Sequence, residues 1–233
     1  MVSISSSRLM KMACVLSVIL LHTSPVQAKT NENKRSEFID VGELLPNAVL
    51  DIRYFGRHNF VGAPIDGYTA PKCLLHKTAA NALKNVQKAA QKEGLNLKIF
   101  DCYRPQRAVD HFVRWVNDLS DTRTKAEFYP NLNKDQLLGD YIAAKSGHSR
   151  GSTIDLTLVD AYGVELDMAS PFDMFDTLSN TDDPRISATQ KANRYKLKTL
   201  MSDAGFAPYS MEWWHFTYQP QAYPATYFNF VIK

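Results

Sequence analysis

Two short segments of this chain carry the residue types of a hydrolytic metal site. The first runs from His148 to Asp155 and reads HSRGSTID, and the second runs from Glu212 to His215 and reads EWWH. Two imidazoles and one carboxylate, from His148, Asp155 and His215, can hold one Zn²⁺ and leave a fourth position for water. Glu212 would then stay free of the metal and could take the proton of that water.

Other interpretations of the same residues exist. A structural zinc site would close its coordination shell, usually with thiolates, but none of the three cysteines is spaced as a chelating pair. Either histidine alone is more often a surface or core residue than a ligand, and the glutamate could be a surface carboxylate beside two tryptophans. The spacing alone is a weak signal, so the combination of all four residues carries the prediction of a catalytic site.

Arg104 is the candidate to stabilise the negative charge of a tetrahedral intermediate. It lies in the segment 101–109, DCYRPQRAV, where a predicted strand gives way to a helix that begins with Pro105. Arginine stays protonated at any working pH, which suits it to stabilise an anion. The alternative is an ordinary ion pair at a helix start. Arg107 and Arg150 are interpreted as structural or surface groups.

Strands and helices alternate along the chain, without the regular spacing of a doubly wound sheet. The hydrophobic pattern predicts helices over 74–93, 105–119 and 189–204, a short helix that finishes over 140–145, and strands over 49–54, 95–102, 153–159 and 213–218. Strands that pair mainly antiparallel between helices predict an α+β fold. We expect a single compact domain with a small, mainly antiparallel sheet flanked by helices.

The predicted site imposes two conditions on this fold. Fully extended chain would separate His148 from Asp155 by ~23 Å, so Gly151 must turn the chain back. A regular strand points Glu212 and His215 to opposite faces, because they lie three residues apart. Both can serve one site only if Glu212 sits at the bend where the strand begins.

Residues 1–28 have the features of a secretory signal. Arg8 and Lys11 precede an apolar run of roughly ten residues, from Met12 to Leu21. Val-Gln-Ala at 26–28 resembles a cleavage site. A membrane anchor is the weaker alternative, because a spanning helix needs about 20 apolar residues. We therefore expect an exported, periplasmic or secreted protein whose single domain comprises residues 29–233.

The net charge limits the classes of binding partner, and the cysteines allow one disulfide. Residues 1–28 contain two basic residues and no acidic one, so their removal lowers the formal net charge from +3 to +1. This balance favours neither nucleic acid nor an anionic membrane as a partner. In an oxidising compartment Cys73 and Cys102 could form a disulfide, and two buried free thiols are the alternative. We expect loose segments at 30–36 and 179–185; the sequence leaves the oligomeric state open.

Longer motifs around these residues resemble a known family. The sequences SGHSRGSTIDLTL at 146–158, EWWHF at 212–216 and DCYRPQRAV at 101–109 are similar to those of the zinc D-alanyl-D-alanine dipeptidases of the VanX type, peptidase family M15. The likeness extends from NFVG at 59–62 to YFNF at 227–230. It implies a compact α+β fold shared with D-alanyl-D-alanine carboxypeptidases and hedgehog-like domains.

The resemblance also assigns roles to individual residues. It implies one Zn²⁺ on His148, Asp155 and His215, Glu212 as the base and Arg104 as the stabiliser of the intermediate. Three further residues match positions that line the pocket for the free ammonium of the dipeptide: Ser146, Tyr141 and Asp173. The implied substrate is D-Ala-D-Ala. The best-known resistance enzymes of this type act in the cytoplasm, so an exported relative is expected to serve cell-wall turnover or salvage.

Three functions remain open on the sequence alone. The first is a dipeptidase that requires a free amino terminus. The second is a D,D-carboxypeptidase or endopeptidase that acts on longer peptidoglycan peptides. The third is a metal-stabilised binding module without activity, which Glu212 disfavours because a binding site needs no base.

Overall fold

The structure is a computed structural model that describes residues 34–233, so the signal segment predicted over 1–28 lies outside the described residues. Its strands are β1 (Phe38–Asp40), β2 (Val49–Leu50), β3 (Leu74–His76), β4 (Asn96–Asp101), β5 (Thr153–Val159), β6 (Phe206–Tyr209) and β7 (Glu212–Tyr218). Its α-helices are α1 (Val41–Leu44), α2 (Lys77–Lys92), α3 (Gln106–Asn117), α4 (Lys125–Phe128) and α5 (Ala188–Asp203).

The strands form one five-stranded sheet and one small ribbon. The order in the larger sheet is β2-β4-β5-β7-β6, in which β2 pairs with β4 in parallel and all other pairs are antiparallel. Strands β1 and β3 form a separate antiparallel pair. The predicted α+β domain with a small, mainly antiparallel sheet flanked by helices is confirmed.

The central strand β5 anchors the core. Its alternate residues Ile154, Leu156 and Leu158 are completely buried. Full burial of such a side chain contributes roughly 1.5–3 kcal/mol. Helix α2 packs on β4 and on α5, which covers the sheet with an apolar layer. The strand is thereby fixed in place, and the alternate residue Asp155 faces a cavity instead of the core.

The helix predicted over 74–93 is wrong in its first turn. Leu74–His76 forms strand β3, and the helix begins only at Lys77. The backbone NH of Tyr103 donates to the carbonyl of Leu74 at 2.9 Å, and strand β1 pairs antiparallel with β3. The His76 ring then accepts a hydrogen bond from the NH of Thr78 and caps the helix. Partners distant in sequence therefore override the local helical pattern.

Three other expectations also differ from the structure. Only Val49–Leu50 of the strand predicted over 49–54 is extended, and a 3-10 turn follows at Arg53–Phe55. Residues 140–145 form turns and no helix. The segment 179–185, expected to be loose, is held by the buried guanidinium of Arg194, which donates to the carbonyls of Asn180 and Leu178.

The predicted disulfide is present. Cys73 and Cys102 are bonded, with their Cα atoms 5.2 Å apart, and both residues are buried. The bond joins the residue before β3 to the residue after β4, directly beside the segment that carries Arg104. Within residues 34–233 no helix is both long and apolar enough to cross a membrane.

Candidate active site

The three predicted metal ligands meet at one point. Nε2 of His148 lies 3.2 Å from Oδ2 of Asp155 and 3.2 Å from Nδ1 of His215. Nδ1 of His215 lies 3.1 Å from Oδ1 of Asp155. One ligand atom from each residue falls within 4.8 Å of the other two. Two nitrogens and one carboxylate oxygen that converge so closely form a donor set for a divalent metal.

Strand register brings two of these residues together. Asp155 on β5 pairs with His215 on β7, and on its other side with Asp101 on β4. Directly opposite residues of neighbouring antiparallel strands have Cβ atoms about 4.5–5.5 Å apart. The three side chains therefore form a row across the middle of the sheet.

Gly151 delivers the third ligand, as the sequence requires. His148 lies in the 3-10 turn Gly147–Arg150, and Gly151 ends that turn with φ of +80°. A Cβ at this position would lie only 2.3 Å from the ring of Phe38. Conformation and space thus both demand glycine, and the chain folds back so that His148 reaches Asp155.

The surroundings of His148 fix which ring nitrogen faces the site. Nδ1 lies 2.7 Å from the carbonyl oxygen of Cys102. Because a carbonyl oxygen only accepts hydrogen bonds, Nδ1 must carry the proton and donate it. Nε2 is left with a lone pair that points to Asp155 and His215, which is the arrangement a metal-binding histidine needs.

The remaining polar atoms also fit a cation. Oδ1 of Asp155 is buried and accepts no aligned hydrogen bond from the described residues, although His215 approaches it. A buried carboxylate oxygen without such a partner is costly. Burial raises the pKa of Asp155, but the interactions with the neighbouring His148 and His215 outweigh burial and lower it, so the carboxyl is ionised. An ionised carboxylate with a spare oxygen suits a metal ion.

Glu212 satisfies the condition placed on it. It is the first residue of β7, opposite a register shift between Pro208 and Tyr209, and its Oε2 lies 3.5 Å from Nδ1 of His215. The irregular pairing lets two residues three apart reach the same cavity. Burial raises the pKa of Glu212. A carboxyl group with a raised pKa can accept a proton and release it again.

Arg104 is held beside the ligands by Asp101, an acid to which the sequence alone gave no role. Its Nε donates to Oδ2 of Asp101 at 2.9 Å, and its Nη2 lies 3.6 Å from Oδ2 of Asp155. The guanidinium also stacks over the ring of Tyr54, 4.9 Å from the centroid. Asp101 stands three residues before Arg104 in the same motif, which was the available signal.

Asp173 also lines the cavity, in a strained backbone conformation. It is buried, and its φ of +64° is uncommon for a residue other than glycine. The hydroxyl of Tyr54 donates to it at 2.9 Å. Burial raises the pKa of Asp173 well above its ordinary value. Within residues 34–233 Asp173 forms no ion pair with a basic side chain, so a cationic ligand could supply that partner.

One cavity of about 310 Å³ collects all eight predicted residues. Tyr141 and Ser146 line it together with the ligands, Glu212, Arg104 and Asp173. The hydroxyl oxygen of Ser146 accepts a hydrogen bond from the NH of His148 at 3.2 Å, so Ser146 also caps the turn that carries this ligand. The volume lies at the small end of ligand pockets. The roles assigned to these residues stay predictions.

Sequence reasoning missed four residues of this cavity wall and its support. Tyr54 was placed on a strand, Asp101 was given no role, Lys145 was not considered and Arg150 was set aside as structural. Tyr54, Lys145 and Arg150 line the cavity, and Asp101 supports Arg104 from behind. No local pattern separates such residues from surface groups, except that Arg150 lies inside the HSRG motif.

Comparison with known proteins agrees with the geometry. A sequence model of the peptidase M15 family, described as D-ala-D-ala dipeptidase, matches residues 34–233. The D-alanyl-D-alanine dipeptidase of Streptomyces coelicolor is 41% identical over 84% of this chain and 98% of its own. That of Enterococcus faecalis is 40% identical over the same shares, and that of Escherichia coli K12 is 34% identical over 81% and 89%. The chain therefore belongs to the peptidase M15 family of D-ala-D-ala dipeptidases.

Proposed function

We propose that this enzyme hydrolyses free D-alanyl-D-alanine to D-alanine with one Zn²⁺ held by His148, Asp155 and His215. The observation that carries the proposal is the convergence of these three ligands beside a carboxylate that is not a ligand, Glu212. The names of relatives that align over most of their length support the choice of substrate.

When bound, Zn²⁺ acts as a Lewis acid and makes water acidic enough to supply a nucleophile near neutral pH. Glu212 accepts the proton of the attacking water, because it lines the same cavity and is not needed as a ligand. The same carboxyl group then gives that proton to the leaving amine. Its raised pKa favours this second transfer.

Arg104 stabilises the oxyanion that forms when water attacks the scissile carbonyl. Its Nε is committed to Asp101, which orients the guanidinium and leaves the outer nitrogens toward the cavity. The positive charge is thus fixed before the reaction begins. Preorganised charge of this kind stabilises the transition state without reorganisation.

Asp173 selects the free amino terminus of the dipeptide. An ammonium group would pair with the buried carboxylate, which among the described residues 34–233 accepts a side-chain hydrogen bond from the hydroxyl of Tyr54 alone. An N-acylated peptide cannot provide this charge and would leave Asp173 buried and unpaired. The small cavity and Asp173 together favour a dipeptidase over an enzyme for longer wall peptides.

We propose further that the protein works outside the cytoplasm, in cell-wall turnover or salvage of the released dipeptide. The leader pattern of residues 1–28 supports export, and so does the Cys73–Cys102 disulfide, since such bonds persist in oxidising compartments. Cell fractionation with amino-terminal sequencing of the mature protein tests this. A cytoplasmic protein that retains residues 1–28 would contradict it.

A dipeptide panel on the zinc-loaded protein tests the activity. We expect D-Ala-D-Ala to be cleaved, N-acetyl-D-Ala-D-Ala and L-Ala-L-Ala to be poor substrates, and chelation to abolish turnover until Zn²⁺ is restored. Preference for the acylated peptide would instead indicate a carboxypeptidase. Zinc binding without cleavage of any peptide would indicate a binding module.

A further inference from the structure

Two cations line the same cavity as the proposed catalytic residues. Lys145 is exposed and Arg150 is half-buried, and the two flank the turn that carries His148. Both lie against one aromatic ring: Nζ of Lys145 is 4.6 Å and Cζ of Arg150 is 5.7 Å from the centroid of Tyr227. Two positive charges are thus gathered on one wall.

Neither cation is neutralised by an acidic group among the residues that the structure describes. Within residues 34–233 no carboxylate oxygen lies within the 4.0 Å of an ion pair from Lys145 or Arg150, whereas Arg104 in the same cavity is paired with Asp101. Two like charges close together repel each other unless an anion joins them. The wall therefore has an uncompensated positive charge that faces a ligand space.

Arg150 is held in position with one end free. Its Nε donates to Oε1 of Gln221 at 2.7 Å, and its Nη1 donates to the hydroxyl of Tyr227 at 3.4 Å. In the described part of the chain no acceptor is bonded to Nη2, which lies beside Gly147, 3.3 Å from where a Cβ would stand. The guanidinium is therefore preorganised, with its free edge next to the metal-ligand turn.

The cavity is lined by charges of both signs. Lys145 and Arg150 supply positive charge, and the buried Asp173 and the half-buried Glu212 are acids of the same lining. A free dipeptide is a zwitterion with an ammonium at one end and a carboxylate at the other. The planar fork of arginine suits a carboxylate, and a flexible lysine adds a second positive charge.

We propose that Arg150 and Lys145 bind the C-terminal carboxylate of the substrate. The inference rests on the proposed dipeptidase function and extends it. The site then binds both charged ends of its substrate, the ammonium at Asp173 and the carboxylate at Arg150 and Lys145. The enzyme is then specific for peptides with a free C-terminus and excludes internal or amidated peptide bonds.

This role predicts a kinetic signature different from that of Arg104. The terminal carboxylate takes no part in the bond changes and carries the same charge in the ground state and in the transition state. Its binding group therefore contributes uniform binding, whose loss raises KM and leaves kcat nearly unchanged. One charged hydrogen bond is typically equivalent to about 10- to 100-fold in affinity.

The test compares D-Ala-D-Ala with D-Ala-D-Ala carboxamide, which keeps the amine, both methyl groups and the scissile bond but lacks the terminal charge. Wild-type enzyme should prefer the free acid by about 10- to 100-fold in kcat/KM. Arg150→Met should lose most of that preference through KM, Arg150→Lys should keep part of it, and Lys145→Met should lose less. Lys198→Met is the matched control, since Lys198 also stacks on a tyrosine, 4.9 Å from Tyr195, but outside the cavity.

The ratio between the two substrates separates recognition from damage to the fold, because a merely structural effect lowers both rates together. An unchanged ratio in Arg150→Met and in the variant that combines Arg150→Met with Lys145→Met would overturn the inference and leave the proposed dipeptidase intact. If wild-type enzyme cleaves neither substrate, the dipeptidase proposal fails. Calorimetric binding of D-Ala-D-Ala to wild type and to Arg150→Met then decides the carboxylate site: weaker binding by the variant supports it, and equal affinity overturns it.

Discussion

The two halves of the cavity are built in different ways. The metal-ligand half stands on the sheet, where the pairing of Asp155 with His215 and Asp101 fixes the row of side chains. The substrate half consists of connecting segments that carry Tyr141, Ser146 and Asp173. Asp155, Glu212 and His215 thus rest on strands, and His148 and Arg104 rest on short connections beside those strands. The residues proposed to select the substrate rest on loops.

The loop half nevertheless has its own support. The buried guanidinium of Arg194 on α5 donates to the carbonyls of Met168, Leu178 and Asn180, on either side of Asp173. Burial lowers the pKa of Arg194 to about 10, and the arginine remains charged at neutral pH. The hydrogen bonds of this one side chain hold the loop in place, as the backbone hydrogen bonds between strands hold the sheet half. We therefore expect changes in the sheet half to affect kcat and metal binding, and changes in the loop half to affect KM and selectivity.

The largest effect is expected from Glu212→Gln, in the sheet half. The ligands survive while the base is lost, so zinc content should stay near native and kcat should fall by about 10²- to 10⁴-fold. Metal analysis and steady-state kinetics on the same sample measure both. His148→Ala is the counterpart and should lower zinc affinity instead. Near-native activity of Glu212→Gln with verified zinc would show that another group is the base.

Arg104→Ala should follow, with a loss of about 10²- to 10³-fold that lies mainly in kcat, because the oxyanion exists only after attack. Arg104→Lys keeps the charge but loses the planar fork, and should recover only part of the rate. Arg114→Ala is the control, since Arg114 is exposed and pairs with Asp66. A rise in KM at unchanged kcat would make Arg104 a substrate-binding or structural group and would remove the contrast with Arg150.

Asp173→Asn tests the loop half. Because the ammonium of the dipeptide loses its charged partner, kcat/KM for D-Ala-D-Ala should fall by about 10- to 100-fold, mainly through KM. The kcat/KM for N-acetyl-D-Ala-D-Ala should change little. The ratio of kcat/KM between the free and the acetylated dipeptide should therefore fall. Equal losses on both substrates would mean that Asp173 supports the fold of its loop and does not recognise the amine.

The smallest effect on turnover is expected from replacing both Cys73 and Cys102 with alanine. The disulfide closes a loop with a sequence separation of 29, and its removal should lower the free energy of unfolding by about 3–4 kcal/mol. Activity well below the melting temperature should stay near native, because the backbone around Asp101 and Tyr103 keeps its strand and loop hydrogen bonds. Denaturant unfolding and kinetics at 25 °C measure the two quantities. A large loss of zinc affinity would show that the bond positions the carbonyl that orients His148.

The sequence by itself determined the chemistry and the local elements around it. The ligand types, the free carboxylate and the turn at Gly151 follow from residue identity and spacing. Strand β5 was predicted over its full length, 153–159, since its pattern and its neighbours in space agree. The α+β class and the family followed from the same motifs.

Only the tertiary structure decided which distant residues meet. The row from Asp101 to His215 depends on the register of three strands, and the separation of Leu74–His76 from helix α2 depends on the pairing with β1. The basic pair of Lys145 and Arg150 is recognisable only because the fold places both in the cavity wall, where no acid of residues 34–233 forms an ion pair with either. The physical reason is that a local pattern reports the periodicity of one segment, whereas ion pairs, burial and register depend on contacts between segments far apart in sequence.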